Sequence, residues 1–172
     1  MKHKFLLIYT WLVRSCLFFL PDIPLIMRFR GWLYSFGMKQ CGKNFQVAHS
    51  VIINSLEGLS VGDNVYFAMN SIFYTYHKVN IGNNVMFGPS CLLTSGNHSY
   101  SDGSYRYGSS IYNEIEIENG CWIAGHCIVL SGAFLPARSI LAAGTVLTRN
   151  LSPRETDGIY AGHPAKLIKK RK

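Results

Sequence analysis

A six-residue repeat runs unbroken from Ile117 to Ser152 and constrains the fold more than any other feature of the chain. The first position is aliphatic in all six copies, and the fifth is small in five of them. The first positions are Ile117, Ile123, Val129, Leu135, Leu141 and Leu147, and the fifth positions are Cys121, Cys127, Ala133, Ser139, Thr145 and Leu151. An amphipathic helix repeats every 3.6 residues and a half-buried strand every two, so neither explains the pattern.

A longer period precedes this repeat. Pentads of similar sequence begin at Cys41, Val61 and Ile81, which are 20 residues apart, and a comparable opening occurs at Ile117. Three hexads make an 18-residue coil, and two extra residues at a corner make 20. The sequence therefore predicts five coils, beginning near residues 41, 61, 81, 117 and 135.

The spacing indicates how each coil is built. Each hexad supplies a short strand and a turn, and three hexads close a triangular coil whose aliphatic first positions and small fifth positions point inward. Gly, Asn and Asp at the second to fourth positions tolerate the positive φ of tight corners. Because each coil buries its apolar residues only against the coils above and below, the pattern predicts a parallel β-helix.

One long interruption breaks the column. Ile81 and Ile117 are 36 residues apart, which is twice a coil. The third coil is expected to close at His98, which leaves Ser99–Glu116 as an inserted loop rich in Ser, Gly and Tyr. A regular fold that accommodates a long excursion at one place usually uses it for function. His98 lies where the column meets this loop and is the first candidate for a catalytic residue.

These features together resemble the hexapeptide-repeat acyltransferases. The branch concerned contains the galactoside, maltose and xenobiotic acetyltransferases and the O-acetyltransferases of surface polysaccharides. Besides the pentads and the loop, the resemblance rests on three motifs: Cys121-Trp-Ile-Ala-Gly125, Leu141-Ala-Ala-Gly-Thr145 with Thr148, and Ala161-Gly-His-Pro-Ala-Lys166. It covers residues 41 to 169. It implies a left-handed helix, although parallel crossovers are otherwise right-handed.

The resemblance also implies a homotrimer with active sites between neighbouring columns, acetyl-CoA as co-substrate, and roles for matching residues. His98 matches the catalytic histidine. The residues expected to contact the cofactor are Trp122, Gly125, Ala143, Thr148, Arg149, Lys166 and Lys169. The sugar acetyltransferases carry an acceptor-facing asparagine on the second coil. This chain has Ala68 there and Asn70 two residues later, so Asn70 is the candidate for acceptor binding.

The chemistry expected of such a site needs few groups. A thioester is already activated, so attack by an alcohol requires a base for the hydroxyl proton and a donor for the oxyanion. A neutral imidazole suits the first task, and backbone N–H groups suit the second. We expect no metal and no acylated cysteine.

Charge is concentrated at the two ends of the chain. Of 17 Lys and Arg, seven lie in residues 1–43 and five in residues 166–172, whereas a nucleic-acid binder more often carries a basic stripe across its body. This distribution favours binding of anionic lipid by one end of the chain and binding of a phosphorylated cofactor by the other. Phe5–Leu20 is apolar but too short and too interrupted by Arg14 for a spanning helix. Residues 1–36 either contact a membrane peripherally or pack on the protein.

We therefore expect three segments: a basic, apolar helical segment at 1–40, the β-helix at 41–152 with its loop at 99–116, and a basic extension at 153–172. The five cysteines form no C-x-x-C pair, which favours reduced thiols in a cytoplasmic protein. That protein could lie peripherally on the cytoplasmic face of the inner membrane.

Four functions remain open from the sequence. The first is an O-acetyltransferase of a saccharide, glycolipid or polysaccharide precursor at the cytoplasmic membrane. The second is a soluble detoxifying acetyltransferase of small hydroxylated compounds or free sugars. The third, a zinc hydratase on the same fold, needs three histidines and is disfavoured because no H-x₄-H pair occurs. The fourth is a non-catalytic scaffold.

Overall fold

A computed structural model of the chain describes residues 2–171. Two helices precede a long series of short strands. In chain order the elements are α1 (Lys2–Leu17), α2 (Pro24–Ser35), β1 (Gln40–Cys41), β2 (Gln46–Val47), β3 (Ile52–Asn54), a 3₁₀ turn (Leu56–Gly58), β4 (Leu59–Val61), β5 (Tyr66–Phe67), β6 (Ile72–Tyr74), β7 (Val79–Ile81), β8 (Met86–Phe87), β9 (Leu92–Thr94), β10 (Gly96–His98), β11 (Ser110–Tyr112), β12 (Ile115–Ile117), β13 (Trp122–Ile123), β14 (Ile128–Val129), β15 (Phe134–Leu135), β16 (Ile140–Leu141), β17 (Val146–Leu147), β18 (Gly158–Ala161) and β19 (Lys166–Lys170).

The strands form the three faces of a triangular column. Face A has the order β1-β4-β7-β12-β15, face B has β2-β5-β8-β13-β16-β18-β19, and face C has β3-β6-β9-β14-β17. Neighbouring strands are parallel, except that β19 returns antiparallel to β18. The parallel β-helix is confirmed, and its five coils begin where the repeat predicts. β18 adds part of a sixth turn.

The interior follows the hexad register. All six predicted first positions and all six predicted fifth positions from Ile117 to Leu151 are buried. In the upstream coils the core consists of aromatic side chains. The Phe67 ring stacks on the Phe73 ring with 3.9 Å between ring centroids, and it packs edge-to-face against the rings of Phe45 and Phe87. One continuous hydrophobic core therefore runs along the column.

The corners take the backbone conformation that their composition predicts. The fourth residue of each pentad has a positive φ, namely 57° at Asn44, 58° at Asn64, 57° at Asn84 and 71° at Gly120. The asparagines also bond between coils, because the Asn44 side-chain amide donates to Asn64 at 2.9 Å and that of Asn64 donates to Asn84 at 3.0 Å. Each corner is thus fixed both by local geometry and by its neighbours along the column.

The two helices cover the first coil. α1 packs on β3 and α2 packs on β2, and Val13, Met27 and Tyr34 join the core of the column. The buried Arg30 guanidinium donates to the carbonyl oxygen of Val47 and to Asp22. α2 begins at Pro24, because a proline in the first turn of a helix sacrifices no hydrogen bond.

Two segment boundaries differ from those expected. The chain leaves the column after Ser95 and re-enters at Ile115, which pairs with Val79, so the excursion is not the expected Ser99–Glu116. The shift arises because Gly96–His98 pairs with Ser110–Tyr112 instead of with a neighbouring coil. The segment expected as a basic extension from residue 153 adds β18 and β19 to face B.

Two further observations concern the helices and the cysteines. Among the helices of residues 2–171, none is long and apolar enough to cross a membrane. The cysteines are free, and Cys91, Cys121 and Cys127 are buried at repeat positions. Burial raises the pKa of the Cys121 thiol to about 11, so this residue acts as core filler. Met1 and Lys172, at the ends of the two basic segments, lie outside the described residues.

Candidate active site

His98 lies on a hairpin that projects from face C. β10 pairs with β11 in antiparallel register, with His98 opposite Ser110. The base of the hairpin is tied to the column through Asn113, whose backbone N–H donates to the Ser131 hydroxyl at 3.1 Å. Ser131 in turn donates to the carbonyl oxygen of Ser95 at 2.9 Å. Because Ser95 and Ser131 are buried, the column fixes where the hairpin starts and ends.

The His98 side chain is exposed and lines a cavity of about 450 Å³ at the junction of the hairpin and face C. No other described side chain forms a hydrogen bond with its imidazole. The residues lining this cavity, called here the histidine cavity, are Tyr74, Tyr76, Thr94, Gly96, Asn97, His98, Ser110 and Tyr112. Both ring nitrogens are thus available to a substrate.

One wall of the histidine cavity is aromatic. The Tyr76 ring lies 6.1 Å from the Tyr74 ring with nearly parallel planes, and 6.2 Å from the Tyr112 ring. The Tyr76 ring also packs against the His3 ring, with 5.8 Å between ring centroids, and the His3 imidazole forms a hydrogen bond with the Glu57 carboxylate. The start of α1 therefore contacts this wall.

A second cavity, of about 590 Å³, lies on the other side of the hairpin and is called here the basic cavity. Thr148, Arg149 and Lys166 line it, so three of the residues expected to contact the cofactor come together. Asn97, the neighbour of His98, lines both cavities. Arg149 and Lys166 are exposed cations, which suits an anionic group such as a phosphate.

The other predicted residues lie elsewhere on the column. Trp122 points outward from face B, while Gly125 and Ala143 occupy successive turns at the corner between faces B and C. Lys169 lies on β19 opposite Ile159, and Asn70 occupies an exposed corner with φ of 61°. These five residues line neither cavity of the single chain.

Several residues of the two cavities carry no signal in the sequence. Asn97 and Asn113 carry no repeat signal, because they belong to the excursion. Tyr74 and Tyr76 lie in the second coil, where only the inward positions are constrained by the repeat. The one available signal was the Tyr-rich composition of the loop, which Tyr112 shares.

The arrangement supplies a base of the kind that an acyl transfer needs, together with cations suited to a phosphorylated cofactor. An unbonded imidazole faces a cavity of ligand size, and cations lie a short distance away on the other side of a two-stranded hairpin. Within the part of the chain that the structure describes, no group of three or more His, Cys, Asp or Glu is placed to hold a metal ion.

No family model matches the chain, but individual relatives do. It is 26% identical over 128 residues to a galactoside O-acetyltransferase of Escherichia coli, covering 74% of this chain and 62% of that protein. It is 23% identical over 162 residues to a colanic acid biosynthesis acetyltransferase named WcaF from the same species, covering 94% and 85% respectively. The chain thus spans about three fifths of the galactoside enzyme.

Solved structures share the fold. A maltose O-acetyltransferase of Clostridium difficile superposes with a TM-score of 0.85 at 22% identity, over 99% of this chain and 87% of that one. A hexapeptide-repeat acetyltransferase of Vibrio cholerae, complexed with acetyl-CoA, superposes with a TM-score of 0.82 at 20% identity, over 98% and 88% respectively.

The fold is that of the left-handed parallel β-helix, as the sequence predicted. The predicted resemblance to hexapeptide-repeat acyltransferases is also confirmed, since the relatives and the solved structures named above are acetyltransferases of the galactoside, maltose and polysaccharide branch.

Proposed function

We propose that the protein is an acetyl-CoA-dependent O-acetyltransferase that acts on a hydroxyl of a saccharide or of a glycolipid or polysaccharide precursor, with His98 as general base. The observation that carries the proposal is the placement of a free imidazole in the histidine cavity, beside a basic cavity lined by Thr148, Arg149 and Lys166. The names of the relatives support the same reaction.

The proposed reaction is a direct transfer. The acceptor hydroxyl attacks the thioester carbonyl while His98 takes the hydroxyl proton, so a C–O bond forms and a tetrahedral oxyanion develops. Collapse of this intermediate breaks the C–S bond, and the CoA thiolate leaves and takes up the proton from the imidazolium. Backbone N–H groups beside the thioester stabilise the oxyanion. The products are the O-acetyl ester and CoA.

The aromatic wall supports a sugar as the acceptor. Tyr74, Tyr76 and Tyr112 present ring surfaces to the C–H face of a pyranose, while Thr94 and Ser110 offer hydroxyls for hydrogen bonds. A small aromatic acceptor would fit the rings equally well, which keeps a detoxifying acetyltransferase as the second candidate. A sugar has more hydroxyls to engage the polar side of the cavity, so we favour the saccharide.

The outward faces of the column support a homotrimer. The outward positions of face B are Gln46, Tyr66, Met86, Trp122, Ile140 and Ile159, all but the first apolar or aromatic. Those of face C form an aliphatic row of Ile52, Ile72, Leu92 and Ile128, which continues to the buried Val146, and a second row of Asn54, Tyr74 and Thr94. Those of face A are mainly polar: Gln40, Ser60, Asn80, Glu116 and Phe134. Packing face B of one column on face C of the next gives a closed ring. A mass of one or two chains by sedimentation velocity would contradict the trimer.

The trimer would explain why the predicted residues are divided between two faces. His98 projects from face C and Trp122 from face B, so in one chain they line different surfaces. When face B of a neighbour meets the hairpin, Trp122 and the corner with Gly125 and Ala143 border the same cleft. Asn70 and Lys169 stay predictions for the acceptor and for the adenosine end of the cofactor.

We place the enzyme in the cytoplasm, where acetyl-CoA is available and where free thiols persist. A position at the inner face of the membrane would give it access to lipid-linked saccharides.

The proposed activity is tested by acetyl-CoA consumption with a panel of saccharides, glycosides and small phenols, followed by mapping of the product. We expect consumption that depends on a saccharide and an acetyl ester on one sugar hydroxyl. Preferential turnover of the phenols would favour the detoxifying enzyme, and absence of acetyl-CoA binding by calorimetry would favour a scaffold.

Substitutions in the basic cavity should weaken acetyl-CoA specifically. For Arg149→Gln with Lys166→Gln, we expect the KM for acetyl-CoA to rise about 10-fold, because charge-assisted hydrogen bonds to phosphate are lost. Acetyl-pantetheine lacks the adenosine phosphates and should be used equally well by the variant and the wild type. An equal loss with both donors would contradict the phosphate contact.

A further inference from the structure

The outer face of α2 is apolar although it is not covered by any described part of the chain. Leu25, Phe29, Trp32 and Phe36 are spaced by four, three and four residues and therefore lie on one side of the helix. They are 74%, 46%, 55% and 65% exposed. The opposite side, with Met27 and Tyr34, packs on the first coil. The apolar stripe thus faces outward, the reverse of an ordinary surface helix.

The outer face of α1, which packs against α2, is apolar as well. Phe5, Ile8, Trp11 and Leu12 are exposed on the side opposite the buried Leu6, Thr10 and Val13. Phe19, in the turn between the helices, is 92% exposed. The set of Phe5, Ile8, Trp11, Leu12, Phe19, Leu25, Phe29, Trp32 and Phe36 is called here the apolar cap. An exposed apolar area of this kind marks an interaction site.

The charges around the apolar cap have a single sign. Lys4 and Arg28 are exposed and Arg14 is half-buried, and within residues 2–171 none of the three forms an ion pair. The one acidic residue of the two helices and their connection is Asp22, which is bonded to Arg30 at 2.7 Å and to His49 at 2.8 Å. The partner must therefore supply apolar surface together with anionic groups.

A second copy of the chain is a poor source of the anionic groups that the partner must supply. Glu57, Glu114, Glu155 and Asp157 are already paired with basic side chains, and Glu118 accepts the Ala137 backbone N–H. Asp63, Asp102 and Glu116 have no basic partner within residues 2–171, but they lie on a corner, on the hairpin and on β12, so they form no single acidic patch for the cap cations of another copy. A bilayer with anionic headgroups offers both an apolar interior and a layer of negative charge.

We propose that the apolar cap is a membrane-docking surface, with α1 and α2 lying in the interface of an anionic bilayer. The aromatic and aliphatic side chains enter the acyl region, and Lys4, Arg14 and Arg28 reach phosphate headgroups. Docking needs neither acetyl-CoA nor an acceptor, so it can fail or hold independently of the proposed acetyl transfer.

The test is co-sedimentation of the full-length protein with vesicles. We expect binding to vesicles of phosphatidylcholine with phosphatidylglycerol, and weaker binding to phosphatidylcholine alone. Leu25→Gln with Phe29→Gln should lower affinity about 10- to 100-fold, because two inserted apolar side chains are lost. Arg28→Gln should lower affinity for the anionic vesicles about 5-fold and leave that for neutral vesicles unchanged.

Matched controls separate docking from other effects. Tyr105→Gln with Tyr107→Gln changes two exposed aromatic residues on the hairpin, 63% and 80% exposed, and should leave vesicle binding unchanged. Thermal unfolding monitors whether each variant folds. Failure of the wild type to bind anionic vesicles, or an unchanged affinity of the folded Leu25→Gln, Phe29→Gln variant, would overturn the proposal. A lower oligomer mass for that variant without lipid would assign the apolar cap to an interface between copies.

Discussion

Replacing His98 by alanine is expected to reduce kcat by about 10²- to 10⁴-fold, because the acceptor hydroxyl loses its base. The KM for acetyl-CoA should change little, since His98 lies in a different cavity from Thr148, Arg149 and Lys166. Because the side chain is exposed and makes no side-chain hydrogen bond to a described residue, the free energy of unfolding should stay within about 0.5 kcal/mol of the wild type. Steady-state kinetics and urea unfolding measure both quantities.

His126→Asn is the matched control for this substitution. His126 is also exposed, and asparagine tolerates its φ of 59°. This variant should keep its full kcat. Full turnover by His98→Ala would sink the assignment of the base, and an equal loss in both variants would show that the effect is not specific to position 98.

The second large effect concerns the column itself. Phe67→Ala should lower the free energy of unfolding by about 3–5 kcal/mol, because the removed ring is fully buried and leaves a cavity inside a prism of fixed diameter. Phe67 contacts Phe45, Phe73 and Phe87, which belong to three successive coils. The movement of one neighbouring side chain therefore cannot fill the cavity. Urea unfolding followed by circular dichroism measures the change.

Tyr107→Ala serves as the control for the column. Its ring is 80% exposed on the hairpin, so the free energy of unfolding should change by less than about 0.5 kcal/mol. If Phe67→Ala were no more destabilised than this control, the continuous core would not be what stabilises the column.

The column could be predicted because its interior repeats. Every sixth residue meets the same surroundings, so Ile117, Ile123 and Val129 carry the same requirement, and the corner asparagines report the backbone angle directly. The segments that depart from the repeat were predicted less accurately. Gly96–His98 pairs with Ser110–Tyr112, a contact that no local pattern encodes. β18 follows an interruption of the hexad register, so the sequence did not predict this strand.

The site was harder to predict because the repeat constrains only the residues that point into the core. His98 was predicted because it lies where the repeat stops, Thr148 and Lys166 because they match motifs, and Arg149 because it follows Thr148. Tyr74, Tyr76 and Asn97 point away from the core, where the repeat imposes no residue type. The outward apolar stripe of α2 was present in the sequence as Leu25, Phe29, Trp32 and Phe36, but only the fold shows which side of the helix faces the column.

The central claim is that the hairpin imidazole meets the thioester in a cleft closed by a second column. The distance between the CoA sulfur and the nearer His98 ring nitrogen, measured in a structure of the CoA complex, tests it most directly. We predict roughly 3–4 Å, with Trp122 of an adjacent column beside the same sulfur. A CoA molecule held on one column, with its sulfur out of reach of His98, would contradict the account.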